Sequence, residues 1–215
     1  MTRTFASSPR PEHSRWGAIQ TATQRLPGTW HVTTASHGGF LLSDERQAAM
    51  PGVLRRDDGA YEEAVDWTRV MLAFEPEWRA SRDPLLDLEL PLAHDIARNW
   101  LPEAYAAFTG NAVPARDSHV IQRRAAYEAA IGSYVSTAAY GDWADWVPAG
   151  KVGVVFRKVT GVDALGFADY APGQIHGLVD KERYADRDEV ETFESLGAVR
   201  VESMALITKQ VAALA

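Results

Sequence analysis

The stretch Thr29–Leu42, TWHVTTASHGGFLL, decides the fold class that the sequence predicts. Its first six residues, Thr29–Thr34, alternate in polarity and are rich in β-branched side chains, which is typical of a strand. Phe40–Leu42 resumes the apolar pattern after the glycine pair Gly38-Gly39. Two short strands around a pair of glycines predict a β-hairpin, and therefore an antiparallel sheet.

The segments on both sides of this hairpin carry helical signals. Ser14 is a suitable cap for a helix over Arg15–Gln24, and Ser43, which two acidic residues follow, opens a short helix that ends near Ala49. Tyr61–Phe74 has apolar side chains three or four residues apart, which predicts a longer helix. Further helices are predicted over residues 92–101, 103–108, from 117 or 118 to about 134, 189–195 and 205–214.

The last third of the chain is β-like in composition. After a linker at Gly141–Trp146, strands are predicted over residues 152–156, 164–170, 174–179 and 198–202. Because strands and helices come in runs, the fold class is α+β, with an antiparallel sheet of about five strands and packed helices. We expect residues 1–13 to be a flexible tail and 14–215 to form a single domain, helix-rich to about residue 140 and β-rich over 150–203.

Composition narrows the classes of protein to which the chain can belong. The sequence has no cysteine, which excludes disulfides and thiolate chemistry and fits a reducing compartment. We therefore expect a cytoplasmic protein, and no apolar run is long enough to span a membrane. The net charge of −7 argues against binding to nucleic acid, which requires lysine and arginine to neutralise phosphates. No phosphate-binding, dinucleotide-binding or zinc-binding motif occurs, so we expect no cofactor and no metal.

The glycine pair and the histidine before it are the first candidate for chemistry. The amides of Gly38 and Gly39 can come close to an anion, because neither residue has a side chain in the way. His37 can act as an acid or a base near neutral pH. The alternative is a hairpin turn that needs glycine only for its backbone angles.

Two carboxylates form the second candidate. On the predicted helix, Glu62 and Asp66 lie four residues apart and share a face. Such a pair can bind a hard cation or acquire a raised pKa for acid–base chemistry; the alternative is a solvated acidic helix start. If the hairpin lies beside this helix start, His37 joins both acids as candidate catalytic residues near Glu63. A separation above about 10 Å would exclude a shared site, because charges tune one another over roughly 4–6 Å.

Two tryptophans in the linker form the third candidate. Trp143 and Trp146 alternate with the acidic residues Asp142 and Asp145. Tryptophan is enriched at the centres of protein interfaces, so this segment is a candidate partner-binding edge. The alternative is that both indoles cap the core.

The segment Val32–Ser43, together with Glu45-Arg46 and the motif Tyr61-Glu62-Glu63-x-x-Asp66-Trp67, resembles a bacterial domain-of-unknown-function family. That family is typical of plasmids, conjugative elements and prophages. The chain departs from the family pattern at Ala64 and Val65, where an acid and often a cysteine stand. The resemblance implies a genetic context and carries no activity.

Three functions remain open from the sequence. The first is an accessory protein of a mobile genetic element that binds a host protein or an element-encoded protein, in counter-defence or in regulation. The second is a small hydrolase or metal-assisted enzyme, in which His37 is the general base and Glu62 and Asp66 orient it or hold a metal. The third is structural, with His37 donating to a carboxylate and so fastening the hairpin to the helix start. The lack of a catalytic signature favours a non-catalytic protein.

Overall fold

The computed structural model describes residues 4–81 and 83–201, which form two compact units. The division falls between His119 and Val120. Each unit combines an antiparallel sheet with helices, so the predicted α+β class is confirmed. Two sheets of four and five strands occur where the sequence led us to expect one sheet of about five. The single domain over residues 14–215 stays a prediction.

The first unit is built on a four-stranded antiparallel sheet in the order β1-β2-β3-β4. The predicted hairpin is present, with His31 opposite Phe40 across β2 and β3. Its turn is made by residues 34–37, because the glycine pair already belongs to β3 and pairs with β2. The strands are β1 (Thr21–Leu26), β2 (Thr29–Thr33), β3 (Gly38–Leu42) and β4 (Ala60–Glu62).

Two predicted helices of this unit are corrected by strand pairing. The helix over Arg15–Gln24 is wrong, because Thr21–Leu26 pairs with β2. Ser14 closes a tight turn instead, accepting the N–H of Trp16 and donating to the carbonyl of Gly17. The helix over Tyr61–Phe74 begins only at Trp67, because Tyr61 pairs with Phe40 in the sheet.

One helix of the first unit lies between β3 and β4 in the chain, and the others follow β4. The capped helix after Ser43 is confirmed, since the Ser43 hydroxyl accepts the N–H of Arg46. The fourth helix begins earlier than predicted and contains Pro91. The helices are α1 (Asp44–Ala49), α2 (Trp67–Ala73), α3 (Glu75–Ser81), α4 (Leu86–Trp100) and α5 (Pro102–Thr109), and a 3-10 turn (Ala115–Asp117) follows.

A buried arginine holds the core of this unit together. The side chain of Arg46 is fully buried, and its guanidinium lies over the rings of Phe5, at 3.8 Å, and Phe74, at 4.5 Å, which contact each other edge to face. It donates two hydrogen bonds to Glu77, at 3.0 and 2.7 Å, and a third to the carbonyl of Pro27. Phe5 thus belongs to the core, where the sequence predicted a flexible tail. Whether the rest of residues 1–13 is flexible stays a prediction.

The second unit carries a five-stranded antiparallel sheet, in which β7 pairs with the end of the long strand β6. The predicted helix that runs to Tyr134 ends at Ala129, because Tyr134 pairs with Lys158 in the sheet. Of the predicted strand 164–170, only the last three residues pair. The elements are α6 (His119–Ala129), β5 (Tyr134–Tyr140), β6 (Lys151–Val162), β7 (Ala168–Tyr170), β8 (Ile175–Asp180), α7 (Lys181–Ala185) and β9 (Val199–Val201).

The predicted helix over residues 189–195 is wrong, because a buried carboxylate organises this segment as a turn. Glu191 accepts hydrogen bonds from the Arg183 guanidinium, the Ser195 hydroxyl and the N–H of Asp188. Burial alone would raise the pKa of Glu191, but the bonds from Ser195, Arg183 and Asp188 together hold it below its usual range. The predicted helix over 205–214 lies outside the described residues.

No helix within residues 4–81 and 83–201 combines the length with the apolar character that crossing a bilayer needs.

Candidate functional site

A four-residue turn presents His37 to solvent at the end of the β2–β3 hairpin. The buried Thr34 fixes this turn, because its hydroxyl accepts the N–H of His37 at 3.2 Å and donates to the carbonyl of His37 at 2.9 Å. The backbone N–H of Thr34 donates to the same carbonyl at 2.8 Å. The imidazole is exposed, and its Nδ1 lies 2.9 Å from the Ser36 hydroxyl. The backbone at His37 is therefore fixed, while its ring is open to a ligand.

The two candidate carboxylates reach the same region from different elements. Glu62 is the last residue of β4, opposite Gly39, and accepts the N–H of Ala64 at 2.7 Å. Asp66 stands immediately before α2. The prediction that both share one helical face is wrong, because Glu62 is extended in the sheet.

Asp66 is neutralised by two arginines that sequence analysis did not connect with it. Its carboxylate lies 2.8 Å from a terminal nitrogen of Arg56 and 2.9 Å from Nε of Arg69. The side chain of Asp66 is largely buried, so this pairing is stronger than an exposed one. Arg56 also approaches Asp58, which pairs with Arg15. The pairing with both arginines favours an electrostatic and positional role for Asp66 over a role in proton transfer.

His37, Glu62 and Asp66 line one open cleft of about 490 Å³. Its other wall residues are Arg15, Trp16, Ser36, Arg56 and Ala60. Among the described residues, the ring of His37 bonds to Ser36 and to no carboxylate. The structural role of His37 required a hydrogen bond from its ring to a carboxylate, and this bond is not formed among the described residues. A catalytic role for the three residues stays a prediction.

The glycine pair is needed for packing. Gly39 has φ +146°, and a Cβ there would overlap the carbonyl of Tyr61 and the ring of Trp16. At Gly38 a Cβ would overlap the carboxylate of Glu63. The position of this carboxylate works against an anion beside Gly38, because like charges repel. Anion binding by Gly38 and Gly39 stays a prediction. The alternative is that both positions are glycine because a side chain would not fit there.

The part of the chain that the structure describes contains no cluster of three or more histidine, aspartate or glutamate side chains that could hold a metal ion. At the cleft of His37, the Asp66 carboxylate is already paired with two guanidinium groups, and this pairing works against metal binding by the same carboxylate.

The two linker tryptophans have different surroundings. The indole of Trp146 is buried and lies directly on Gly153, where a Cβ would overlap it. Trp146 thus has the core-capping position of the alternative interpretation. Trp143 is 75% exposed, and its ring centre lies 6.0 Å from that of Tyr140. Partner binding by Trp143 and Trp146 stays a prediction. Of these two indoles, that of Trp143 is the exposed one.

A second cleft of the first unit was missed by sequence analysis. It has a volume of about 250 Å³, and its wall includes His31, Glu63 and Trp67. Its residues come from β1, β2, β3, the loop before α2, α2 itself and α4, so no local sequence pattern connects them. The sequence signal for this cleft is His31, a lone histidine within the predicted strand Thr29–Thr34, and the strand pattern alone assigns it no separate role.

No curated protein and no solved structure shows significant similarity to this chain. Residues 9–131 match a family that is described as Domain of unknown function (DUF7007). The match covers more than half of the 215 residues and includes the hairpin, the glycine pair and both clefts. The chain therefore belongs to the DUF7007 family.

Proposed function

We propose that the chain is an accessory protein of a bacterial mobile genetic element and acts by binding a host protein or an element-encoded protein. Counter-defence and regulation are the two roles that fit this class. The exposure of Trp143 is the observation that carries the binding part of the proposal. The mobile-element part rests on the resemblance of the His-Gly-Gly and Tyr-Glu-Glu motifs.

The surroundings of Trp143 support an interface with a basic partner. The ring of Tyr140 is tilted against the indole with ring centres 6.0 Å apart. Asp142 and Asp145 are exposed, and Asp142 pairs with Lys181 at 3.3 Å. An aromatic anchor with a polar rim is the arrangement found at the centres of protein interfaces. With a chain charge of −7, the acidic rim would speed association with a basic surface.

Co-purification of tagged protein from a bacterial host at moderate salt tests this proposal. The wild type is compared with Trp143→Ala and with Phe167→Ala, which removes another exposed aromatic ring of the same unit. We expect one protein to co-purify at a fixed ratio with the wild type and with Phe167→Ala, and to be lost with Trp143→Ala. Equal recovery with all three proteins, or no specific protein with any, would contradict binding through Trp143.

A small hydrolase is the second candidate, because His37, Glu62 and Asp66 line a single cleft. In this function His37 is the general base, and Asp66 with its arginines orients a charged substrate group. Glu62 would position His37 or the attacking water. A panel of ester and phosphoester substrates, with and without divalent metal, tests the wild type against His37→Gln. Turnover that His37→Gln abolishes would establish this function, and turnover that both share would exclude it.

A further inference from the structure

The cleft of about 250 Å³ in the first unit has apolar walls. Phe40 of β3, Trp67 at the start of α2 and Leu92 of α4 provide them. Leu92 and Trp67 are partly exposed, so a molecule from solvent can reach these side chains. The volume equals that of about eight water molecules at ~30 Å³ each. It therefore suits a ligand of only a few non-hydrogen atoms.

The charges around this cleft leave one carboxylate unpaired. Arg25 is held by Asp83 at 2.8 Å and by both oxygens of Glu89, at 2.9 and 3.4 Å. Glu63 has no ion-pair partner among residues 4–81 and 83–201, and its carboxylate lies over Gly38. Two carboxylates thus pair with the Arg25 guanidinium, and Glu63 in the wall of the cleft adds a third negative charge. The excess negative charge favours a cation and disfavours an anion.

His31 adds a polar group to the apolar part of the wall. Its ring is half-buried against Phe40, with ring centres 5.7 Å apart, and it forms no hydrogen bond within the described chain. Burial lowers the pKa of His31, and the charge of Arg25 lowers it further, against the opposing effect of Glu63 and Glu89. The imidazole is therefore neutral at neutral pH, and one of its ring nitrogens can accept a hydrogen bond.

We propose that this cleft is a binding site for a small alkylammonium cation. The ammonium group is held by the Glu63 carboxylate and by the neutral ring of His31, and the alkyl chain lies against Trp67 and Leu92. The face of Trp67 adds attraction for the cation. Neither protein binding through Trp143 nor hydrolysis at His37 is needed for this site.

Titration with n-butylammonium chloride tests the site, with the indole N–H signal of Trp67 as the NMR reporter. Trp67→Phe identifies that signal among the seven tryptophans. We expect a saturable shift with a dissociation constant of about 1–10 mM, the range in which few-atom ligands bind. 1-Butanol and butyrate are the neutral and anionic controls. Equal binding of 1-butanol, or a shift that does not saturate with n-butylammonium, would overturn the proposal.

Two neighbouring carboxylates provide matched variants. Glu63→Gln removes the proposed anchor, and we expect it to weaken n-butylammonium binding about tenfold, as for one lost charge-assisted hydrogen bond. Glu62→Gln removes the next carboxylate, which lines the other cleft, and should leave the affinity unchanged. Amide spectra verify that both variants keep the fold. Equal affinity of Glu63→Gln and wild type, or equal losses in the two variants, would overturn the role of Glu63.

Discussion

Arg46 and Glu77 form a two-bond ion pair in which the guanidinium is entirely excluded from water and the carboxylate is 22% exposed. The guanidinium also packs against two phenyl rings that contact each other edge to face. Removing one partner from a buried pair leaves the other without compensation, which costs about 3–5 kcal/mol. Breaking this pair therefore tests how much it contributes to the stability of the first unit.

Arg46→Ala is expected to lower the free energy of unfolding by about 3–5 kcal/mol, because it leaves Glu77 without its partner and opens a void beside the rings of Phe5 and Phe74. Urea unfolding measures the change. The control is Arg79→Ala, which breaks an exposed helix pair with Glu75 and should cost below about 1 kcal/mol. Similar losses in both variants would contradict the structural role of Arg46.

Gly39→Ala is expected to destabilise the fold by at least about 2 kcal/mol, because the residue has φ +146° and no space for a methyl group. At Gly38 the main obstacle is the flexible end of Glu63. Glu63→Ala should therefore recover part of the stability that Gly38→Ala loses. Thermal unfolding of the two single variants and the double variant measures this coupling, and strictly additive losses would contradict it.

His37→Ala is expected to change the melting temperature little, because in the described part of the chain the exposed ring hydrogen-bonds to Ser36 and to no other side chain. Thr34→Val is the matched variant, since its lost hydroxyl bonds hold the turn and should cost about 1–2 kcal/mol. Thermal unfolding separates the two. A large loss in His37→Ala would restore the interpretation in which His37 fastens the hairpin.

The ring of His31 is expected to titrate below its usual pKa of 6.5. Its folded-state pKa is lowered, so its contribution to stability is present above 6.5 and is lost as the pH falls through the folded pKa. As the pH is lowered through this range, the free energy of unfolding should fall less in His31→Gln than in the wild type. Urea unfolding measures this difference. Glu63→Gln should lower the pKa of His31 further in an NMR titration, because the charge of Glu63 opposes the shift. An unshifted His31 pKa would be the contrary result.

Glu191 provides the corresponding test in the second unit at lower pH. Because its pKa is held below 4.5 in the fold, its contribution is present above 4.5 and is lost as the pH falls through the folded pKa. Glu191→Gln should destabilise the protein by about 1–3 kcal/mol at pH 7 and less at pH 3. Urea unfolding at both pH values measures this difference, and a loss that is equal at both would contradict it.

The elements that sequence analysis predicted well are those whose signals are local. Ser43 with its following acids marked α1, and the pattern of Thr29–Thr34 marked β2. The errors at Arg15–Gln24 and at Tyr61 have one cause: both segments pair with strands that the local pattern does not reveal. Pairing overrides helix periodicity, because each extended residue gains partners from elsewhere in the chain.

The candidate site shows the same limit. His37, Glu62 and Asp66 line one cleft, although the helical argument that joined the two acids was wrong. The pairing of Asp66 with Arg56 could not be predicted, because Arg56 reaches it from a loop ten residues away in the chain, whereas Arg69 is only three residues from Asp66. The His31 cleft combines residues from three strands, two helices and a loop, and only the folded chain brings them together.

The stacking of Phe5 on Arg46 has a practical consequence for recombinant work. The family match begins at residue 9, so a truncation designed on that boundary would remove Phe5 and uncover one side of a buried cation. Water would then reach the Arg46–Glu77 pair, and solubility trials on the shortened protein would report this damage instead of the properties of the family. An expression boundary for this protein should therefore lie before residue 5, and an affinity tag at the amino end needs a spacer that leaves the phenyl ring in place.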